Sequence, residues 1–123
     1  MSNVSSIAAS GMAVASLRLE VSAGNIANTS SGGASDGTPG SYVQKQVIQI
    51  AVTNGGTSAT VTSLPAAYSP SYDAQGNAGG TSVNVNLAYE LVQQIMARFG
   101  FAANAQVVKS DARAMAAFLD IIA

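Results

Sequence analysis

The sequence predicts a mainly α-helical fold with a small β insert. N- and C-terminal helices pair in an antiparallel coiled-coil-like hairpin, with a β-hairpin between them. Three observations carry this reading. Val4, Ile7, Gly11, Val14, Leu17 and Val21 recur at spacings of 3, 4, 3, 3 and 4, one face of a helix. A longer apolar stripe runs from Ala88 to Ile122. Between them lies a β-branched stretch split by Asn54-Gly55-Gly56, a strong hairpin signal. At 123 residues the chain is one small domain at most. Residues 1–28 and 83–123 form the expected terminal helical domain, and residues 29–82 the loop and β-hairpin insert.

The first helix runs from about Asn3 to Asn28, with Asn3 or Ser5 as its cap and Thr29-Ser30-Ser31-Gly32-Gly33 as its end. Gly11 and Gly24 each weaken it by roughly 1 kcal/mol relative to Ala, which points to close backbone approach or to a helix that orders only in an assembly. Thr29 to Ser41 holds no apolar side chain larger than Ala34 and reads as a loop. Tyr42-Val43, Val47 to Val52 and Thr60-Val61-Thr62 supply the two strands, joined by a type I′ turn at Asn54-Gly55-Gly56. An isolated hairpin is marginal, so it packs on the helices or on another subunit. Pro65 to Ser82 reads as irregular, with a turn at Asp73-Ala74-Gln75-Gly76-Asn77. Val83-Asn84-Val85-Asn86 is extended, and Asn86 caps the second helix with Glu90 near its positive end.

The second helix carries Ala88, Val92, Ile95, Phe99, Ala102, Ala105, Val108, Ala112, Met115, Leu119 and Ile122. The spacings follow a coiled-coil seam apart from a three-residue slip at Ala102–Ala105, a stammer. Gly100 beside the slip is a candidate bend. At 1.5 Å per residue this helix spans roughly 50 Å, longer than the first helix can cover. The unmatched length is apolar and implies association.

Composition narrows the function. The chain has five basic and six acidic residues, a net charge of −1, and no Cys, His or Trp. Disulfides and Cys/His metal or haem sites are excluded, as is a Cys or His nucleophile–base pair. The charge balance lacks the basic surface of a nucleic-acid binder. Charged residues are 9% of the chain, against about 25% in an ordinary soluble domain. Leu, Ile, Val and Phe together number 28 of 123 residues, and Ala alone 23. Such a chain has a thin private core and suits close helix–helix contact with partners, copies of itself included. No cleavable signal and no direct membrane span are expected, because no run approaches 18 consecutive apolar residues.

Chemistry-bearing constellations are sparse. Glu20, Asp36, Asp73, Glu90, Asp111 and Asp120 never stand three or four apart, so no acid–base pair is visible. Asp73 to Asn77 lacks the ligand alternation of a calcium loop, and neither Gly-Gly pair is followed by a phosphate-loop Lys-Ser/Thr. Lys109 and Arg113 read as a solvated helix face. No enzyme activity, metal or cofactor is expected.

The two ends resemble a family. Ser10-Gly11-Met12 through Leu17, then Val21, then Asn25-Ile26-Ala27-Asn28-Thr29 is similar to the N-terminal signature of bacterial flagellar axial proteins. Val83-Asn84-Val85-Asn86-Leu87, leading into a long helix with Ala103-Asn104 and a final apolar turn, is similar to their C-terminal signature. The Asp73 to Asn77 turn just before it, with the short length, resembles the proximal-rod type of the flagellar basal-body rod proteins. The resemblance covers residues 5–30 and 70–122. One departure stands out. Where the family carries Arg-x-Tyr before x-Ala-Asn, this chain has Phe99-Gly100-Phe101 with Arg98 one place off. A polar contact made there by relatives is therefore not carried over.

The resemblance implies a structural subunit of the flagellar rod, located in the periplasm and exported unfolded through the flagellar type III export apparatus without a cleaved signal peptide. Its terminal helices would self-assemble helically with copies of itself and other rod proteins, line the export channel and transmit torque for motility. The residues expected at subunit interfaces or in helix packing are Val14, Leu17, Val21, Asn25, Ile26, Asn28, Ile95, Phe99, Phe101, Asn104, Val108, Met115 and Leu119. The alternatives are another flagellar axial protein, from the distal rod or hook junction, and a freestanding helical-hairpin module that binds a partner helix or peptide.

Overall fold

The computed structural model describes residues 3–33, 42–53, 55–64, 68–72, 74–83 and 85–122. Helix α1 spans Asn3–Ala27 and helix α2 spans Leu87–Ile122. They pack antiparallel along the whole of α1. Ser22 and Asn25, near the end of α1, meet Glu90 at the start of α2. Gly11 lies against Asn104, and Ser5 donates to Asp111. The expected antiparallel helical pair with a β insert is present.

The insert holds more sheet than the sequence predicts. Strands β2 (Lys45–Ala51) and β3 (Thr57–Ser63) form the expected hairpin. Its loop is longer than the two residues of a type I′ turn, because the ladder closes at Val52 and Gly56. Gly55 N–H donates to the Val52 carbonyl, and the positive φ falls on Gly55 (85°) and Gly56 (88°), not on Thr53. That is a longer loop, entered by a tight turn and closed through two left-handed glycines. Asn54 lies outside the described residues. The segment read as irregular also contains strands. β4 (Tyr68–Tyr72) pairs antiparallel with β5 (Ala78–Val83), and β1 (Gly32–Gly33) pairs with the other edge of β5. The expected turn between β4 and β5 closes this second hairpin, with Gly76 at φ 83°. Ser, Gly and Pro mask strand propensity here, because pairing rather than side-chain preference holds the backbone extended. Of the loop expected from Thr29 to Ser41, residues 34–41 lie outside the described residues.

Side chains close both helices at the end of the pair where α1 stops and α2 begins. Asn28 Nδ2 donates to the Gly24 carbonyl (2.8 Å) and Thr29 Oγ1 to the Ile26 carbonyl (2.7 Å), each a second bond to a carbonyl that also accepts the same residue's backbone N–H where α1 stops. Asn86 caps α2 as expected, with the Tyr89 N–H on its Oδ1 at 3.0 Å. Helix α2 runs unbroken through Gly100.

The core is as thin as the composition implies. Among the described residues the buried apolar side chains are Ala8, Val14, Ala15, Val83 and Ala97, beside buried Ser22, Asn25 and Glu90. Three of the five apolar residues are alanines, so α1 and α2 meet through small and polar groups.

Candidate functional site

Two features stand out: a buried polar hub where α1, β2 and α2 meet, and an apolar surface on α2 that faces away from the rest of the chain.

The hub centres on Asn25, 1% exposed. Its Oδ1 accepts from Tyr42 Oη (2.7 Å) and from the Lys45 backbone N–H (3.0 Å). Its Nδ2 donates to the Lys45 carbonyl (2.8 Å) and to Glu90 Oε1 (2.8 Å). The backbone of Lys45 therefore fixes the amide orientation, because its N–H demands an oxygen and its carbonyl a nitrogen. All four hydrogen-bonding positions of the amide are filled. Glu90, 3% exposed, accepts a second bond at Oε1 from Gln44 Nε2 (3.1 Å), and its carbonyl accepts from Ser22 Oγ (2.9 Å). Burial and then the nearby Glu90 carboxylate push the Tyr42 hydroxyl above its usual value of 10.0. A pocket of about 410 Å³ opens beside this hub, lined by Arg18, Gln44, Lys45, Tyr89, Glu90 and Gln93 among others. Glu90 is the only carboxylate in that lining. Among the described residues no group of three His, Cys, Asp or Glu side chains is placed to hold a metal.

The side of α2 that meets α1 is Glu90, Ala97, Asn104 and Asp111, at strict seven-residue spacing. Three of these four are polar. The apolar stripe lies elsewhere at first. At about 100° per residue, Val92, Ile95 and Phe99 sit roughly opposite Ala97. They are 51%, 55% and 71% exposed. The slip around Ala102–Ala105 then swings the stripe round the helix. Val108 and Met115 fall roughly on the side of Ala97, since eighteen residues are about five whole turns. By that point α1 has ended, because its first turn stands beside Asp111. Met115, Leu119 and Ile122 therefore continue the side along which α1 packs, with no α1 to cover them, and are 51%, 69% and 81% exposed. Phe118 and Ile121 beside them are exposed too. An apolar groove of about 380 Å³, lined by Val4, Ala103, Val107, Ser110 and Ala114 among others, leads into this uncovered segment.

The residues singled out from sequence divide accordingly. Val14 and Asn25 are buried. Leu17, Val21, Ile26, Asn28, Asn104 and Val108 are half-buried. Ile95, Phe99, Phe101, Met115 and Leu119 are exposed. Glu90, Ser22, Tyr42 and Lys45 were not foreseen in the hub. A lone Glu in a first helical turn reads as a dipole partner, and nothing in the sequence shows that Asn25 folds back onto it. Gly11 fits the close approach expected of it: an added Cβ would stand 2.7–2.8 Å from the Asn104 amide. Gly24 does not, with only Tyr42 Oη at 3.5 Å.

Helix α1 is long and apolar enough to cross a membrane by length and mean hydropathy (1.2), although its apolar runs are short, such as Ile7-Ala8-Ala9 and Met12 to Ala15. In this fold it packs against α2 and the β2–β3 hairpin. No protein-family model matches the chain, and no curated protein matches it significantly.

Proposed function

We propose that the chain is a structural subunit of the bacterial flagellar basal-body rod, of the proximal type, which assembles helically through its terminal helices. The observation that carries this reading is the apolar side of α2 beyond Asp111, in line with α1 and uncovered. A helix of a neighbouring subunit laid end to end with α1 would cover Met115, Leu119 and Ile122. The outward row of Val92, Ile95 and Phe99 offers a second contact on the opposite side of the same helix. Contacts of this kind repeat without closing and build a filament. The axial-protein resemblance of Asn25-Ile26-Ala27-Asn28 supports the reading, and in this chain those residues tie the helix end to the hairpin and to α2. In this reading torque passes through many packed contacts, the terminal helices line the export channel, and the chain reaches the periplasm through the flagellar type III export apparatus.

Two measurements test the proposal. Far-UV circular dichroism with sedimentation on one sample is expected to show helicity that rises with concentration into assemblies. A compact, fully helical monomer that never associates would instead favour the freestanding binding module. In the cell, Leu17→Asp and Met115→Asp are expected to abolish swimming while the protein is still made. Normal swimming of both strains would refute the rod reading.

A further inference from the structure

The pocket beside the hub is bounded by α1, by the Gln44 end of the β2–β3 hairpin and by the first turns of α2. Its volume of about 410 Å³ falls within the range of small-molecule sites, about 300–1,000 Å³. Three kinds of group line it. The first is a carboxylate. Glu90 is 3% exposed, and both hydrogen bonds to its side chain, from Asn25 and Gln44, fall on Oε1. Oε2 accepts none among the described residues, and no ion pair reaches it. A buried carboxylate oxygen without a donor is costly, and a cation offsets that cost best.

The second kind is a pair of cations nearer the solvent. Arg18 is half-buried and Lys45 is exposed. Arg18 makes one bond, from Nη2 to Gln49 Oε1 at 2.8 Å, and pairs with no carboxylate. The hub bonds of Lys45 are made by its backbone, which leaves its ammonium unengaged. Both charges stand on long, rotatable side chains, able to close over a bound anion. The third kind is an apolar wall of Val21, Val47, Leu64 and Met96.

These groups select a ligand by charge. A simple amine would suit Glu90 but meet two cations. A simple acid would suit the cations but meet Glu90. A molecule that carries both charges on one carbon answers both, and the wall suits an apolar group on the same carbon. A polypeptide terminus carries only one of the two charges on its end residue. We propose that the pocket binds a free α-amino acid with an apolar side chain, its ammonium on Glu90 Oε2, its carboxylate on Arg18 and Lys45, and its side chain against the apolar wall. The site is separate from the apolar end of α2. Binding here can fail while Met115→Asp still stops swimming, and the reverse.

The test titrates the whole, isotope-labelled chain with L-leucine at millimolar concentration. NMR follows the side-chain amides of Asn25, Gln44 and Gln93 and the backbone N–H groups of Lys45 and Glu90. L-leucine is expected to shift these signals to saturation. Leucinamide lacks the carboxylate, N-acetyl-leucine lacks the ammonium, and glycine lacks the side chain. Each is expected to bind at least about tenfold more weakly. Arg18→Gln with Lys45→Gln leaves every hub bond in place and is expected to make leucine and leucinamide bind alike. Glu90→Gln keeps the shape of its side chain and is expected to remove the preference for leucine over N-acetyl-leucine. The Arg18 and Lys45 comparison stands whether or not Glu90→Gln folds. No saturable shift with L-leucine would overturn the proposal. So would leucinamide or N-acetyl-leucine matching leucine in the unsubstituted chain, which would leave a site for one charge only.

Discussion

The two ends of α2 are built on opposite rules. From its start to its middle, the side that meets α1 carries buried Glu90 and Ala97 and half-buried Asn104, with both polar side chains hydrogen-bonded. At its end, the same side carries Met115, Leu119 and Ile122, which lie beyond the first turn of α1 and are exposed. Apolar burial is non-directional and proceeds with whatever surface is offered. A fully bonded amide accepts one geometry only. The chain therefore uses specific polar contacts to define its own fold and leaves its least specific, strongest adhesive surface uncovered. The difference separates the information that shapes the subunit from the surface that can join it to others.

The largest expected effect comes from attacking the polar end. Asn25→Asp removes both Nδ2 bonds and sets a second carboxylate against the Lys45 carbonyl and Glu90. We expect a loss of about 3–5 kcal/mol, read as a fall in the urea midpoint. Asn25→Asp together with Glu90→Gln is expected to recover part of that loss, because the neutral amide can turn its nitrogen to the new carboxylate. A loss below about 1 kcal/mol, the worth of one ordinary hydrogen bond, would break the contrast between the two ends.

Next in size is the close approach at the middle of the seam. Gly11→Val drives a Cβ into the Asn104 amide, which is held on the Gly100 carbonyl at 2.8 Å. The expected cost is about 1–3 kcal/mol. Gly11→Val with Asn104→Ala is expected to restore most of it by opening space, and strict additivity of the two changes would refute the contact.

Tyr42 gives a smaller effect that sharpens the account of the hub by pH. Its neutral phenol donates to Asn25 and its folded pKa is raised, so this contribution is complete below pH 10.0, the unfolded value. It is lost as the pH rises through the folded value. Tyr42→Phe is expected to flatten that alkaline decline in a pH series of melting curves, at a cost near neutrality of about 1 kcal/mol. An unchanged alkaline limb would show that the hydroxyl is not linked to folding.

The smallest effect belongs to the far end. In dilute monomer, Met115→Asp is expected to change stability by no more than about 0.5 kcal/mol, although the same substitution is expected to stop swimming. A large loss in the monomer would mean that this surface folds back onto its own chain.

The helices, their order and the hairpin were legible in the sequence, because 3.6-residue periodicity and left-handed glycines are local signals. Residues 4–21 show the α1 face, Asn86 shows the cap, and Gly55-Gly56 marks the turn of the β2–β3 hairpin. The thin core was legible as well, since composition alone limits how much apolar surface a chain can bury. The β4–β5 sheet was not legible, because Ser, Gly and Pro carry no strand pattern and only pairing extends them. The direction of the α2 stripe was not legible either. Periodicity says that apolar residues share a face but not which partner that face meets. The tertiary structure turned Glu90, Ala97, Asn104 and Asp111 inward, against the apolar pattern, because small and polar side chains let two backbones approach where Gly11 and Asn25 had left room and hydrogen bonds. Those bonds join residues 65 positions apart, between Asn25 and Glu90, and no local rule of sequence reaches across that distance.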